Sequence, residues 1–238
     1  MDLKERASVD PWTHWYYLAK FEAIRRHVQD LQHQVSKVID VGAGSGFFSL
    51  ALTRGCRDVD VVCVDPNYPE EELGRHDGAT FVHEVEPWVV SQADTLLFVD
   101  VLEHVDDDRS LLARYVDAAA TGCVVLVSVP AFMSLWSPHD VFLEHRRRYR
   151  LREIERVVRD AGLEVVSAQY LFGSILPMVW VARRLRRGGA PSSDMRPTSR
   201  PVNWILKQSL TLEHRLFRNT LGGLSAFVVA RKSDERQG

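Results

Sequence analysis

A short strand that runs into three alternating glycines constrains this chain more than any other stretch. Residues 37–41 form an apolar run, and Gly42, Gly44 and Gly46 follow it, with a helical pattern that begins near Ser45. Glycines permit the positive φ of a tight strand-to-helix turn and let a ligand approach the backbone closely. The pattern therefore predicts the first strand, loop and helix of an open α/β sheet whose loop holds a ligand.

A second apolar run strengthens this prediction because it ends in a carboxylate. Residues 61–64 are mostly β-branched, and Asp65 follows them directly. Parallel strands of such a sheet end at one edge, so Asp65 is expected in the same crevice as Gly44. A carboxylate there can accept hydrogen bonds from the two hydroxyls of a ribose. The pair of strands thus indicates a ligand that contains ribose.

The third glycine distinguishes two classes of ribose-bearing ligand. Dinucleotide-binding loops have the form G-x-G-x-x-G, and their third glycine allows the helix to pack closely on the strand. In this chain Phe47 occupies that position, and the spacing is G-x-G-x-G. An oxidoreductase of the NAD type stays an alternative, but the size of Phe47 disfavours it.

The segment Asp40-Val-Gly-Ala-Gly-Ser-Gly46 resembles the first motif of class I S-adenosylmethionine-dependent methyltransferases, which has the form D/E-x-G-x-G-x-G. Asp65 and the later stretch Asp100-Val-Leu-Glu-His104 occur in the order that this family shows. The resemblance implies a Rossmann-like sheet of seven strands with helices on both faces and an antiparallel last strand. It also implies S-adenosylmethionine as cofactor and S-adenosylhomocysteine as product. A non-catalytic protein that binds the same cofactor is a second alternative.

The resemblance also implies which residues bind the cofactor. The glycine loop would hold the methionine end, Asp65 the ribose, and residues 100–102 would flank the sulfur, while Glu84 and Val85 are looser candidates for the adenine. The candidate cofactor-binding residues are Asp40, Gly42, Ala43, Gly44, Gly46, Phe47, Asp65, Pro66, Asn67, Asp100, Val101, Leu102, Tyr16 and Lys20.

An aromatic segment precedes the first strand. The order His14-Trp-Tyr-Tyr17 followed by Lys20 resembles a leader of the form H-W-W-F-x-x-R in bacterial small-molecule methyltransferases. In those enzymes the leader lies over the cofactor mouth and helps to exclude water. This chain departs from the pattern at Tyr16, Tyr17 and Lys20, yet it keeps two aromatic rings and a cation. The resemblance implies that Tyr16 and Lys20 contact the methionine carboxylate of the cofactor or the substrate.

A polar segment follows the predicted fifth strand and resembles the W-S-x-H-D and H-x-R-R-Y block of the same subgroup. It leaves the carboxyl end of that strand beside Asp100, so its side chains can reach a transferred methyl group. The catalytic candidates are His139, Asp140 and His145. The substrate-binding candidates are Trp136, Arg147, Arg148 and Tyr149. The alternative is that these polar groups tie the loop down through hydrogen bonds with one another.

The chain divides into four parts on this interpretation. Residues 1–34 form an N-terminal helical cap, residues 35–170 the cofactor-binding core, residues 171–223 a helical insertion, and residues 224–238 the last strand and tail.

The insertion is predicted to contain an apolar helix over residues 171–185 with a kink at Pro177, a mobile linker over residues 188–201, and a second helix over residues 204–218. The basic residues Arg183, Arg184, Arg186 and Arg187 come at the end of the apolar run. We favour a lid or a dimer contact over binding to a membrane surface, because the apolar run is short.

The composition is that of one large globular domain, with 238 residues, 45% of them hydrophobic and 26% charged. A net charge of −2 gives no field that would attract nucleic acid. Cys56, Cys63 and Cys123 lack the spacing of metal ligands, so we expect no metal site and buried thiols in a reducing cytoplasm. Together with this composition, the resemblance to class I methyltransferases implies a cytoplasmic monomer or homodimer that methylates an oxygen or nitrogen of a small molecule, peptide or natural-product intermediate.

Overall fold

The computed structural model describes residue 5 and residues 9–31, 33–56, 58–185, 190–216 and 218–233. The strands are β1 (Lys37–Val41), β2 (Asp60–Val64), β3 (Gly74–His76), β4 (Ala79–Val82), β5 (Thr95–Val99), β6 (Val124–Pro130), β7 (Leu163–Leu171) and β8 (Ser225–Lys232). The helices are α1 (Trp15–Asp30), α2 (Phe47–Thr53), α3 (Pro87–Val90), α4 (Asp108–Ala118), α5 (Pro138–Phe142), α6 (Leu151–Asp160), α7 (Leu176–Leu185) and α8 (Arg200–Leu216).

These strands form a single sheet in the order β3-β4-β2-β1-β5-β6-β8-β7. Strands β4, β2, β1, β5 and β6 are parallel to their neighbours in that series, whereas β8 pairs antiparallel with β6. The order reverses on either side of β1, and the carboxyl ends of β1, β2 and β5 meet there. This is the Rossmann-like arrangement that the glycine motif predicted, and it includes the antiparallel last strand.

The predicted number of seven strands is wrong, because the sheet has eight strands within the described residues. The additional strand β3 pairs antiparallel with β4 through a turn in which Asp77 and Gly78 both have positive φ. An Asp-Gly pair favours such a two-residue hairpin. Strand β3 itself is short and polar, so it has no apolar alternation by which the sequence could reveal it.

The predicted helix over residues 171–185 is wrong in its first part. Strand β7 continues to Leu171, and α7 begins only at Leu176. Pro177 therefore lies in the first turn of α7, where its missing N–H is not needed, and it does not kink the helix. The second insertion helix begins at Arg200 rather than Trp204, again with a proline in the first turn.

The insertion packs on the N-terminal cap. The side-chain oxygen of Asn203 on α8 accepts a hydrogen bond from Trp15 N at 2.8 Å, and its amide group donates to Thr13 O at 2.8 Å. Arg26 on α1 donates to the carbonyl of His214 near the end of α8. Helices α1 and α8 thus form one layer over the sheet, on the face that also carries Phe47.

Between α7 and α8, the described part of the predicted linker contacts both the cap and the core. Ser193 Oγ donates to Glu5 at 2.7 Å, and Asp194 N donates to His139 Nδ1 at 3.1 Å. The parts of our predictions that concern residues 1–4, 6–8, 32, 57, 186–189, 217 and 234–238 lie outside the described residues. Throughout the described ranges, the structure has no helix with the length and apolar character needed to cross a membrane.

Candidate active site

The glycine loop at the end of β1 is shaped as the sequence predicted. Gly42, Gly44 and Gly46 have φ values of 64°, 53° and 67°. A Cβ atom on Gly42 would lie 2.6 Å from Cγ2 of Val101, so no larger residue fits there without displacement. Gly42 N also donates to Val64 O at 2.7 Å. The loop is therefore held between the end of β2 and the segment that follows β5.

Asp65 lies directly at this loop. Its carboxylate accepts hydrogen bonds from Gly44 N at 3.1 Å and from Asn67 N at 2.9 Å. The strand-terminal carboxylate and the glycine loop are thus in contact, as expected for a site that binds ribose beside a loop of backbone amides.

A cavity of about 720 Å³, which we call the cofactor cleft, opens along the carboxyl ends of β1, β2 and β5. Six of the predicted cofactor-binding residues line it, namely Gly42, Asp65, Pro66, Asn67, Asp100 and Val101. Sequence reasoning missed His83, Arg114 and Tyr115, which also line it, whereas Glu84 was a looser candidate. The volume, the backbone of Gly42 and the carboxylate of Asp65 fit an adenosyl group with an attached methionine.

Several predicted cofactor-binding residues do not line the cofactor cleft but pack beside the glycine loop. Asp40 is buried and accepts a hydrogen bond from Ser49 Oγ at 2.8 Å, and burial raises its pKa to about 6. Gly46 precedes α2 as its N-cap residue. Phe47 packs edge-on against Trp12 with ring centroids 4.9 Å apart. The side chains of Ala43 and Leu102 are buried in the hydrophobic core.

Lys20 reaches the site from the cap and pairs with Asp100. Its Nζ lies 2.9 Å and 2.6 Å from the two carboxylate oxygens, and the Lys20 side chain is fully buried. Burial is the largest single effect on Lys20 and would lower its pKa, but the charge of Asp100, the Tyr16 hydroxyl and the hydrogen bonds to both together raise it. The ammonium also lies 4.8 Å from the ring centroid of Tyr16. Asp100 itself has a φ of 56°, a strained backbone conformation of the kind found at functional sites.

A second cavity of about 340 Å³, which we call the inner cavity, lies beyond Asp100. It is enclosed by the start of α1, the segment after β6, helix α7 and residues 194–198. Three residues line both this cavity and the cofactor cleft, namely Asp100, His104 and Leu143. The two cavities therefore adjoin at the end of β5. Tyr16, His139, His145 and Arg148 are the predicted residues that line the inner cavity together with Asp100.

Asp140 organises the loop after β6. It is fully buried and accepts hydrogen bonds from Ser137 N at 2.8 Å, His145 Nδ1 at 2.9 Å and Arg148 Nε at 2.7 Å. Burial alone would raise the pKa of this carboxyl, but the bonds from His145 and Arg148 outweigh it and hold the pKa well below its usual range. Asp140 is thus an ionised anchor for His145 and Arg148.

His139 and His145 differ in which ring nitrogen is occupied. His139 Nδ1 accepts the bond from Asp194 N, and burial lowers the pKa of His139 to about 4, so the neutral ring carries its proton on Nε2. His145 has the opposite arrangement, because the carboxylate of Asp140 can only accept and Nδ1 must donate. In the tautomer that this bond selects, His145 presents the lone pair of Nε2 at the inner cavity. Of the two histidines, only His145 is oriented to accept a proton there.

Three of the predicted substrate-binding residues lie outside both cavities, and two of them have other partners. Arg147 donates to Asp106 O at 2.7 Å and to Val105 O at 3.2 Å. The Tyr149 hydroxyl lies 2.7 Å from Asp108 Oδ2 and 3.0 Å from Leu102 O. Trp136 is absent from the described residues that line the two cavities, and so are Arg147 and Tyr149. These contacts fit the alternative in which the segment holds its own polar groups together.

Glu103 is a residue of the inner cavity that sequence reasoning missed. Its side chain is fully buried, and within the described part of the chain neither carboxylate oxygen has a hydrogen-bond partner. Burial raises the pKa of Glu103 well above its usual range, and the nearby charge of Asp100 acts in the same direction. The only sequence signal was its position in the stretch after β5, between Leu102 and His104.

Parts of the chain are similar in sequence to known methyltransferases. A family model described as a methyltransferase domain matches residues 12–168. The protein "Methyltransferase str2" of Strobilurus tenacellus is 30% identical over 97 residues, which is 40% of this chain and 35% of that protein. The chain thus matches only about a third of the length of this curated relative.

Solved structures show the same fold at low identity. The 1,6-didemethyltoxoflavin-N1-methyltransferase of Burkholderia thailandensis, with its substrate and S-adenosylhomocysteine bound, is 19% identical with a TM-score of 0.55, covering 94% of this chain and 82% of that one. A SAM-dependent methyltransferase of Archaeoglobus fulgidus is 13% identical with a TM-score of 0.50, covering 89% and 94%. The [4+2]-cyclase SpnF is 12% identical with a TM-score of 0.53, covering 89% and 81%. At such identities the likeness concerns the fold alone.

Proposed function

The chain belongs to the methyltransferase-domain family, and on this premise we propose that it is an S-adenosylmethionine-dependent methyltransferase that methylates an oxygen or nitrogen of a small molecule bound in the inner cavity. The observation that carries the proposal is the junction of the two cavities at Asp100, His104 and Leu143. A methyl donor in one cavity and an acceptor in the other can meet at this junction. Family membership favours this proposal over an oxidoreductase of the NAD type.

The cofactor would be held by the loop and the strand ends that line the cleft. S-adenosylmethionine, when bound, supplies a methyl group on a positive sulfur, and transfer breaks the sulfur–carbon bond with both electrons left on sulfur. Gly42 and Gly44 would approach the methionine part, and the Asp65 carboxylate would accept hydrogen bonds from the ribose. Asp100 lines both the cleft and the inner cavity, and Val101 lines the cleft beside it.

The inner cavity supports an acceptor of small size. Its volume of about 340 Å³ lies in the range of pockets that bind small ligands. Rings from α1 line one side of it, including those of Trp15 and Tyr16, whereas the other side carries His145 and Arg148. A natural-product intermediate with an apolar body and polar groups would match this lining, and a peptide could enter only by one side chain.

His145 is the residue that we propose to act on a hydroxyl acceptor. Asp140 fixes the Nδ1–H tautomer, so the lone pair of Nε2 is free to accept the proton that the hydroxyl loses as its oxygen bonds to the methyl carbon. Asp140 acts through His145 and is a positioning residue. A carboxylate or free amine acceptor would need orientation alone.

We also propose a cellular compartment, a role for the insertion and the class of partner. Cys63 and Cys123 are buried free thiols as expected, whereas Cys56 is free but exposed, and free thiols are compatible with the reducing cytoplasm that we propose. Exposed apolar side chains on α7 and α8, among them Trp180 and Trp204, suit a lid or a homodimer contact for the insertion. We expect no nucleic-acid partner, because the net charge of −2 gives no positive field.

The proposal is tested by incubating the purified protein with methyl-labelled S-adenosylmethionine and a panel of small phenols, alcohols, carboxylic acids and amines. A product heavier by one methyl group is expected for one class, and transfer to a hydroxyl should fall at least about a hundredfold in His145→Gln, as when a general base is lost. His76→Gln is the matched control, since His76 lies on the β3 hairpin away from both cavities. Methylation of a folded protein while every small acceptor stays unmodified would contradict the proposal.

A further inference from the structure

Glu103 is an anomaly in the interior of the protein. A buried carboxylate normally has hydrogen-bond donors or a cation as partner, because an isolated charge in a low dielectric is strongly destabilised. Both oxygens of Glu103 are without a hydrogen-bond partner among the described residues, and the side chain is fully buried at the floor of the inner cavity. The site is therefore short of positive charge at a defined point.

Two imidazole rings face the same point. His145 Nε2 lies 4.0 Å from Glu103 Oε1, and the rings of His104 and His145 meet edge to face with centroids 4.8 Å apart. One ligand atom from each of the three side chains can be chosen such that all lie within 4.8 Å of one another. A cation at their centre would lie at coordination distance from the three atoms after small side-chain movements.

The surroundings of His145 are those of a metal ligand. Ligating histidines typically donate their other ring N–H to a carboxylate, which fixes the tautomer and the orientation of the ring. Asp140 accepts this bond from Nδ1 at 2.9 Å, and Arg148 Nε in turn donates to Asp140 at 2.7 Å. The neutral ring is thus held with its lone pair directed toward Glu103.

We propose that Glu103, His104 and His145 bind one divalent transition-metal cation such as Zn²⁺ or Mn²⁺. Two imidazole nitrogens and one carboxylate oxygen suit these cations better than Mg²⁺ or Ca²⁺, which prefer sets made of oxygen alone. Three protein ligands leave at least one coordination position open, and the inner cavity is the space that adjoins it.

The consequence for the reaction rests on the proposed methyl transfer in the inner cavity, and it replaces the role of base proposed above for His145. An acceptor hydroxyl in the open position would lose its proton to solvent on coordination, because a bound cation lowers the pKa of an oxygen ligand. The resulting oxyanion would then bond to the methyl carbon. In this arrangement the lone pair of His145 binds the cation, so His145 does not itself take the proton.

Cation binding is tested on the full chain after treatment with a chelator and its removal. We expect one equivalent of Co²⁺ to produce visible absorption bands, and one equivalent of Zn²⁺ to displace it. Glu103→Gln and His145→Gln should weaken binding at least about a hundredfold, and Asp140→Asn about ten- to a hundredfold as for other second-sphere partners. His76→Gln is the control that should bind as the wild type does. Retained affinity for S-adenosylhomocysteine would show that each variant is folded.

Absence of Co²⁺ and Zn²⁺ binding by the folded wild-type protein would overturn the inference. Binding that survives both Glu103→Gln and His145→Gln would overturn it as well, since the ion would then lie elsewhere on the surface. Once an acceptor is known, chelation should abolish its methylation, and Zn²⁺ or Mn²⁺ should restore it. Methylation that resists chelation but is lost in His145→Gln would assign His145 as the base and overturn the role of the cation. A bound cation with no small acceptor methylated would instead count against the proposed function.

Discussion

Lys20 Nζ lies 2.6 Å from Asp100 Oδ2, so the N-terminal cap and the end of β5 share an ion pair at the point where the two cavities adjoin. The lysine side chain is fully buried, and 29% of the aspartate side chain is exposed. The pair connects the helix that covers the inner cavity to the strand end that lines both cavities. Binding of the cofactor and placement of the cap are therefore expected to depend on each other.

Replacing Lys20 by Met tests this connection. Removing one partner of a buried pair leaves the other charge poorly compensated, and we expect a loss of about 2 to 4 kcal/mol in the free energy of unfolding, somewhat below the range for fully buried pairs because Asp100 is partly exposed. Affinity for S-adenosylhomocysteine should fall as well. Lys37→Met is the matched control, because Lys37 pairs with the half-exposed Asp60 at 3.3 Å and should contribute less than about 1 kcal/mol. Equal losses of unfolding free energy in Lys20→Met and Lys37→Met, measured with denaturant, would contradict the account.

The glycine loop gives a second prediction. An alanine Cβ at position 42 would lie 2.6 Å from Val101, whereas at Gly122, which has a similar positive φ of 83°, it would have nothing within 4 Å. Both substitutions impose a backbone cost of about 1 to 2 kcal/mol. We expect only Gly42→Ala to weaken binding of S-adenosylhomocysteine by tenfold or more, as measured by titration calorimetry. Similar affinities in the two variants would show that the loop does not hold the cofactor.

Tyr149 gives a third prediction, because the sequence suggested a role in substrate binding. Its hydroxyl lies 2.7 Å from Asp108 Oδ2, and both side chains are buried. Tyr149→Phe removes a hydrogen-bond donor from that carboxylate. We expect the free energy of unfolding, measured thermally or with denaturant, to fall by about 1 to 3 kcal/mol. The KM for the acceptor should change less than twofold. A raised KM with an unchanged free energy of unfolding would instead support the predicted role of Tyr149 in substrate binding.

The stability of the protein should fall in acid, in part because of His139. Burial lowers the pKa of this histidine to about 4 when folded, whereas an unfolded histidine has a pKa of about 6.5. Between these values the unfolded chain binds the proton and the folded chain does not. The contribution of His139 is therefore complete above about pH 6.5 and is lost as the pH falls toward 4.

His139→Gln should accordingly flatten the dependence of unfolding free energy on pH in this interval, by on the order of 2 to 3 kcal/mol. Slopes rather than absolute stabilities are compared, because the variant also changes the partner of Asp194 N. His76→Gln should leave the slope without this flattening, since attractive contacts with Glu72 and Asp77 raise the pKa of His76. An unchanged slope in His139→Gln would mean that His139 is not neutral in the folded protein.

The sequence was sufficient for the parts of the site that local chemistry determines. Three closely spaced glycines and a carboxylate at the end of a buried strand are compatible with few local structures other than a ligand-binding turn. The three glycines have positive φ, and Gly44 and Asp65 are in contact as expected. The turn at Asp77 and Gly78 could also have been predicted, because an Asp-Gly pair favours a two-residue hairpin. Its strand was missed for lack of apolar residues.

The partners of the polar side chains could not be read from the sequence. Asp140 binds Arg148 and His145 from its own segment, but Arg147 and Tyr149 bind Asp108 and its neighbours, which the fold brings from the region after β5. Such choices depend on which loops meet at the sheet edge, and so does the burial of Glu103. Spacing along the chain carries no information on them.

Binding of S-adenosylhomocysteine by the purified protein tests the central claim most directly, with wild type, Asp65→Asn and Asp60→Asn compared by titration calorimetry. Asp60 begins β2 at the opposite end of the strand from the cleft, and its side chain is 42% exposed. We predict one site per chain, a loss of about ten- to a hundredfold in Asp65→Asn from the weakened bonds to ribose, and no change in Asp60→Asn. A wild-type protein without affinity for S-adenosylhomocysteine, or an Asp65→Asn variant that binds it as tightly as wild type, would contradict the account.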